Sequence, residues 1–217
     1  MAGATVQVLL QTDLTDEEYV SQRAWNLATA PPCPWCRPGT CGLRSHGTYP
    51  RQRPAGAQVR RFLCLRSGKT VSLLPSCLAS HVSGSLESIE QAVRRCAQAP
   101  SLEQAADRAR PAQECTLASA QRWLRRRLHW VRQLLTLVKG LYPERFAAAE
   151  ATLEEFERQL GSRHVLRELR TVAAAHLPDL PTPVGLRHGR RESAAVTAAA
   201  RSAETQATGL AVPAVAA

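Results

Sequence analysis

Three cysteines, two of them in Cys33-Pro34-Trp35-Cys36 and the third at Cys64, have the residue type and spacing to hold a metal. A C-x2-C pair answered roughly 20 to 30 residues later by another is how a small chain clamps two hairpins around tetrahedral zinc. The second knuckle reads Cys64-Leu65-Arg66-Ser67-Gly68-Lys69, so Ser67 stands where a fourth thiolate belongs. Serine is a poor zinc ligand, and the missing donor must come from elsewhere. Cys41, His46, Cys77 and His81 are the candidates. Cys41 is close enough to Cys36 to fold back, while His46 lies on the strand leaving the first knuckle; spacing leaves both open. Cys77 reads as core because Leu74 and Leu78 flank it. The bland alternative is a metal-free remnant held by Trp35, Tyr49, Phe62 and Leu74. C-x-x-C also serves thiol redox proteins, but no βαβ pattern surrounds this one.

The second group able to do chemistry is cationic. Gln121 and Arg125 are one helical turn apart, as are Arg122 and Arg126, and Arg127 follows. Guanidinium fits both a phosphate and the major-groove edge of guanine, and a helix is the shape that enters that groove. Six further arginines, Arg44, Arg51, Arg53, Arg60, Arg61 and Arg66, crowd the cysteine segment as candidate grips on backbone phosphates. The charge of +10 is unevenly placed: residues 32–82 carry eight basic and no acidic side chains, and residues 83–145 add a net +5. The first 31 residues are net acidic, and the chain beyond 145 is balanced. This is the footprint of a polyanion-binding surface. A solvated arginine-rich exterior is the plainer reading of the same numbers.

Elements must hold these groups in place. Thr15-Asp16-Glu17-Glu18 is a capping box that opens a short helix to about Leu27, making 1–31 a helical lead-in. Strands are expected around His46 to Tyr49, Val59 to Leu63 and Thr70 to Leu74, giving a small zinc-ribbon-like module over 32–82. From Ser85 the apolar period becomes helical, with Leu86, Ile89, Val93 and Cys96 on one face up to Pro100. Ser101-Leu102-Glu103-Gln104 caps a short second helix closed by Pro111. A long third helix runs from Thr116 to about Lys139, with Gly140 as its stop. It carries a seam of Leu117, Leu124, Leu128, Val131, Leu135, Val138 and Tyr142. Three helices in this order, the second short and the third arginine-rich, follow the helix-turn-helix plan over 83–142. A helical pair over 143–177, divided at Gly161, and a disordered tail over 178–217 complete a mainly α chain with a small N-terminal β module. Cys96 and Cys115 read as buried small hydrophobes, and Trp123 and Trp130 as core plugs.

The order CPWC, RSHGTYPR, VRRFLCLRSGKTVSLLPSCLASHVSGSL, SLEQAADRAR and RWLRRRL resembles an uncharacterised family of bacterial transposase-like proteins associated with insertion sequences. The resemblance covers residues 14–140 and includes a T-x-S-L-L-P stretch at Thr70 to Pro75. It implies a zinc-ribbon-like module before a helix-turn-helix, with Cys33, Cys36 and Cys64 in ligand positions and Ser67 departing from the fourth.

A transposase nuclease core needs carboxylates from several elements around two metal ions. Here the acidic residues Glu150, Glu154, Glu155 and Glu157 crowd one helix as solvated-face charges, and no Gly-rich phosphate loop or nucleophile elbow occurs. Met1 to Leu14 lacks a signal-peptide pattern and no apolar run is long enough to span a bilayer. The expectation is a non-enzymatic, cytoplasmic, nucleoid-associated protein that binds DNA, with Zn2+ as its cofactor. Its further partners would be a separate transposase or a second copy of the chain. The competing expectation is an adaptor that binds such a partner through the ribbon and the leucine seam.

Overall fold

The computed structural model describes residues 5–109 and 115–186. Among them a four-stranded sheet has the order β1-β4-β3-β2, built from β1 (Thr5–Leu10), β2 (Leu43–Pro50), β3 (Gln58–Cys64) and β4 (Thr70–Pro75). The last three, where strands are expected, pair as an antiparallel meander, with Phe62 opposite Val71 and Leu43 opposite Cys64. β1 pairs in parallel with β4, Val8 against Leu73, which corrects the purely helical lead-in. Its six residues Thr-Val-Gln-Val-Leu-Leu carry no local turn signal, and their partner lies more than 60 residues on. The capping box is present, with Thr15 N–H donating to the Glu18 carboxylate (2.8 Å) at the start of α1 (Asp16–Ser21).

The three-helix run is as the periodicity predicts: α2 (Leu86–Gln98), α3 (Leu102–Ala109) and α4 (Leu117–Leu141). Ser85, Ser101 and Thr116 each accept a backbone N–H of the first turn, satisfying donors that a helix start leaves unpaired. Pro111, the expected stop of the second helix, lies outside the described residues. Gly140 is not the stop of α4; it is helical, and the helix runs to Leu141 with Tyr142 as its C-cap, before Pro143. The next segment divides into α5 (Pro143–Phe146) and α6 (Leu153–Leu160), because Thr152 starts a new helix by accepting Glu155 N–H. Gly161 ends α6 at φ 68°, a left-handed conformation that suits glycine. α7 (Val165–Val172) and a 3₁₀ turn, Ala174–His176, follow.

One core joins these pieces. Val59 and Leu74 from the sheet, Leu86 and Ile89 from α2, and Val131, Leu134, Leu135 and Val138 from α4 meet Phe156, Leu166 and Leu169. Phe146 and Phe156 stack with centroids 4.7 Å apart. Leu134 joins the seam of α4, whereas Leu128 is only half-buried. A second cluster of Ala92, Ala105, Ala106, Ala120 and Leu124 packs α2, α3 and the first half of α4 through small side chains, which let the helices approach closely. The third, Phe62, Val71 and Leu73 with Trp35 and Leu43 against it, lies on the other face of the sheet.

Residues 178–186, expected to belong to a disordered tail, are instead packed on the fold. Leu180, Val184 and Leu186 are core residues, and Leu186 N–H donates to Leu177 carbonyl (2.8 Å). Prolines and the lack of any period hid this segment, which packs as an irregular turn. The rest of the expected tail, 187–217, lies outside the described residues. Cys96 is half-buried and Cys115 is exposed, contrary to their reading as core.

Fastening this turn to the sheet is Arg170, fully buried on α7. It donates to the carbonyls of Pro75, Ser76 and Leu78 after β4, and to those of Pro183 and Val184. Burial pushes its guanidinium down to about 9, so it is charged at neutral pH.

Candidate metal centre and basic surface

The sulfurs of Cys33, Cys36, Cys41 and Cys64 lie within 4.8 Å of one another. Two local devices assemble them. Arg37-Pro38-Gly39-Thr40 forms a turn in which Thr40 N–H donates to Arg37 carbonyl (3.0 Å) and Gly39 takes φ 76°. Proline second and glycine third are what a reversal with positive φ favours, and this one returns Cys41 to Cys36. In the β3–β4 hairpin, Cys64 N–H donates to Lys69 carbonyl (3.0 Å) and Gly68 N–H to Cys64 carbonyl (2.8 Å), fixing Cys64 at the end of its strand. The pairing of Cys64 with Leu43, two residues past Cys41, brings the halves together.

The spacing suits a metal. A tetrahedral zinc with Zn–S of about 2.3 Å requires sulfurs about 3.8 Å apart. Cys36 and Cys64 are 3.7 Å apart, and Cys64 and Cys41 are 3.8 Å apart. Four thiolates in this arrangement are a closed structural donor set, with no open position for substrate.

His46, the other open choice for the fourth ligand, is excluded from the cluster. It is exposed in β2 where the register shifts between Ser45 and Thr48, and that irregularity carries it away from the knuckle. His81 is exposed too, and Cys77 is buried in the main core, where burial pushes its thiol up to about 11.

Ser67 does not act as a ligand by position but supports one. Its hydroxyl and backbone N–H both hydrogen-bond the Cys64 sulfur and hold that thiol down to about 6. Such partners orient a ligand and stabilise its charge. Cys41 is held up, first by its hydrogen bond with Cys36 and then by burial. Lys69 lies 5.6 Å over the Trp35 ring, linking the two knuckles from outside.

The expected DNA-contacting residues separate into two groups. On α4, Arg122, Arg125 and Arg126 are exposed and Gln121 is half-buried, with Leu124 and Ala120 turned inward. Arg122 donates to Ser119 (3.1 Å). No carboxylate pairs with these three arginines among the described residues. Arg44, Arg53 and Arg66 are exposed around the sheet. Arg60 and Arg61 are half-buried, stacked 5.8 Å over Phe62 and Tyr49 respectively. Arg51 donates to the carbonyls of Ala79 and Val82, anchoring the loop before α2.

Arg127 does not line up with its exposed neighbours. It is buried, its guanidinium 3.4 Å over the ring centroid of Trp123, and Trp123 is partly exposed rather than a core plug. The seven-residue seam hinted at this, since Arg127 falls between Leu124 and Val131 on the inner side.

No protein-family model, curated protein or solved structure matches this chain. No helix of the described residues is long and apolar enough to cross a membrane.

Proposed function

We propose that this protein binds DNA through a helix-turn-helix formed by α2, α3 and α4, with a zinc-stabilised β module as a second, backbone-gripping surface. The observation that carries the reading is the division of α4. Ala120 and Leu124 pack on α2 and α3, while Arg122, Arg125 and Arg126 face solvent on the same two turns without an acidic partner among the described residues. Unneutralised guanidiniums on a rigid helix are what major-groove contact requires. Arg44, Arg53 and Arg66 extend the positive surface across the sheet. Zinc held by Cys33, Cys36, Cys41 and Cys64 has a structural role: it closes the loop that would otherwise hang from β2.

An origin in insertion-sequence transposases is supported by the order of motifs from the cysteine pair to the arginine helix. The proposed role is recognition without cleavage. Glu155 and Glu157 pair with Arg158 and Arg94, so two of the clustered carboxylates are engaged in ion pairs. The cell compartment that follows is the cytoplasm, at the nucleoid.

A second reading has its own observation. An open groove of about 900 Å³ runs along the second half of α4, lined by His129, Gln133, Leu137 and Leu141 on the helix with Asp179 and Pro181 facing them. Leu137 is 40% exposed there. This surface suits an adaptor that docks a separate transposase or a second copy of the chain.

DNA titrations separate the two. Arg122→Ala or Arg125→Ala should weaken binding without unfolding the chain. A base-reading arginine costs about 1–3 kcal/mol at one position; a phosphate contact lowers the salt slope by about one. Leu124→Ala should instead destabilise the fold by about 2–5 kcal/mol. Arginine variants that bind duplex DNA like the parent at moderate salt would overturn the DNA reading in favour of the adaptor.

A further inference from the structure

The second half of α4 carries two stripes. Val131, Leu134, Leu135 and Val138 enter the core, while Gln133, Thr136, Leu137 and Gly140 face outward beside them. The outward stripe is one wall of the open groove of about 900 Å³, and Asp179 and Pro181 of the C-terminal turn are the other. Leu137 stands 40% exposed in it, a large apolar side chain left bare beside the core.

Gly140 sits in the same wall. It is helical, although glycine weakens a helix relative to alanine. A methyl group there would meet no atom within 4 Å, so packing inside the chain does not require the glycine. Bare backbone on an exposed helix face lets a second helix come close, because side-chain size at the contact sets the distance between helix axes.

The charges of the groove select its occupant. The Tyr142 and His176 rings meet with centroids 6.0 Å apart, and Tyr142 hydroxyl donates to Val172 carbonyl (3.1 Å). The segment leading to Asp179 therefore starts beside the C-terminal end of α4. Arg132 stands ten residues before Tyr142, about 15 Å back along the helix axis. Both Arg132 and Asp179 are exposed, and neither has an ion-pair partner among the described residues. An antiparallel copy of α4 exchanges the two ends, so that Arg132 faces Asp179 of the second copy, and the two-fold axis repeats the pairing at the other end. Leu137, midway between Arg132 and Tyr142, falls near that axis against its own counterpart. A surface with opposite charges at the two ends of an apolar centre is thus complementary to itself. The first half of α4, which presents Arg122, Arg125 and Arg126, would repel a copy.

We propose that this groove is the interface of a two-fold dimer, in which the second halves of two α4 helices pack antiparallel. Leu137 meets Leu137 at the centre, and Arg132 pairs with Asp179 of the second copy at both ends. The dimer rests on the groove described under the second reading, commits it to a second copy of the chain, and is independent of DNA binding.

Sedimentation equilibrium of the full-length protein without DNA, over a series of concentrations, tests it. The parent should dimerise reversibly, since one helix and one turn make a small interface. Leu137→Glu should remain monomeric where the parent is dimeric, and its melting temperature as a dilute monomer should match the parent's because the residue lies outside the core. Arg132→Glu and Asp179→Lys should each raise the dissociation constant on the order of tenfold, because each sets like charges together at both ends. An equimolar mixture of these two variants should regain parent-like association, since opposite charges then meet at both ends; a pair closed within one chain would give no such recovery. A parent that stays monomeric throughout would overturn the dimer and leave the groove to a different partner. Dimerisation untouched by Leu137→Glu would overturn this face as the interface, and a mixture no tighter than either variant alone would overturn the antiparallel pairing. Duplex DNA binding by a monomeric parent would leave the DNA reading standing, so the two fail separately.

Discussion

Replacing Arg170 by methionine isolates the attachment of the C-terminal turn to the sheet. The parent side chain is 0% exposed and reaches five carbonyls, two of which have other donors: Leu78 N–H for Pro75 and Ser80 N–H for Pro183. The carbonyls of Ser76, Leu78 and Val184 would lose the donor they have. At about 1–3 kcal/mol for each buried acceptor left unpaired, the gross cost is about 3–9 kcal/mol. Methionine fills similar space without the cost of a buried charge, which offsets part of this. The expected net loss is about 3–5 kcal/mol, measured by urea unfolding at pH 7 and accompanied by a Tm drop on the order of 10 °C. Hydrogen exchange at Ser80 N–H, which donates to Pro183 carbonyl, should accelerate as the turn loosens. Arg170→Met with unfolding free energy within about 0.5 kcal/mol of the parent would refute this account, since surface substitutions have effects of that size.

The metal centre predicts about one zinc per chain, lost in Cys41→Ser and retained in His46→Ala; elemental analysis checks both, and the reverse pattern would show that the cluster is misassigned. Glu90 predicts a pH dependence. Only 3% exposed, it accepts Leu166 N–H (2.6 Å) at the start of α7, which has no side-chain cap of its own, and burial raises its carboxyl to about 7. The fold therefore holds a proton that the unfolded chain releases from about pH 4.5 upward, so Glu90 lowers stability as pH rises through that range, levelling off above 7. The full shift corresponds to about 3 kcal/mol. Glu90→Gln should gain on the parent by up to that amount between pH 4.5 and 8, and parallel stability curves would contradict it.

Much of this fold is legible in the chain because its signals are local. The capping groups at Thr15, Ser85, Ser101 and Thr116 and the apolar periods between them place the start of α1 and both ends of α2 to α4 to within a few residues, although α1 stops at Ser21 rather than near Leu27, and the three strands β2, β3 and β4 follow from alternation and turns. Three of the four clustered cysteines are marked by spacing alone. The tertiary structure decided what depends on distant partners. Cys41 rather than His46 completes the cluster because one turn folds it back while a strand irregularity carries His46 outward. β1 exists because β4 offers it an edge, and Leu180, Val184 and Leu186 reach the core in an irregular turn whose Pro183 and Val184 carbonyls accept from Arg170. Arg127, read in sequence with its exposed neighbours, is buried because the helix turns it between two indole rings. A local pattern states what a residue can do; which of these it does is set by the groups that packing brings within a few ångströms.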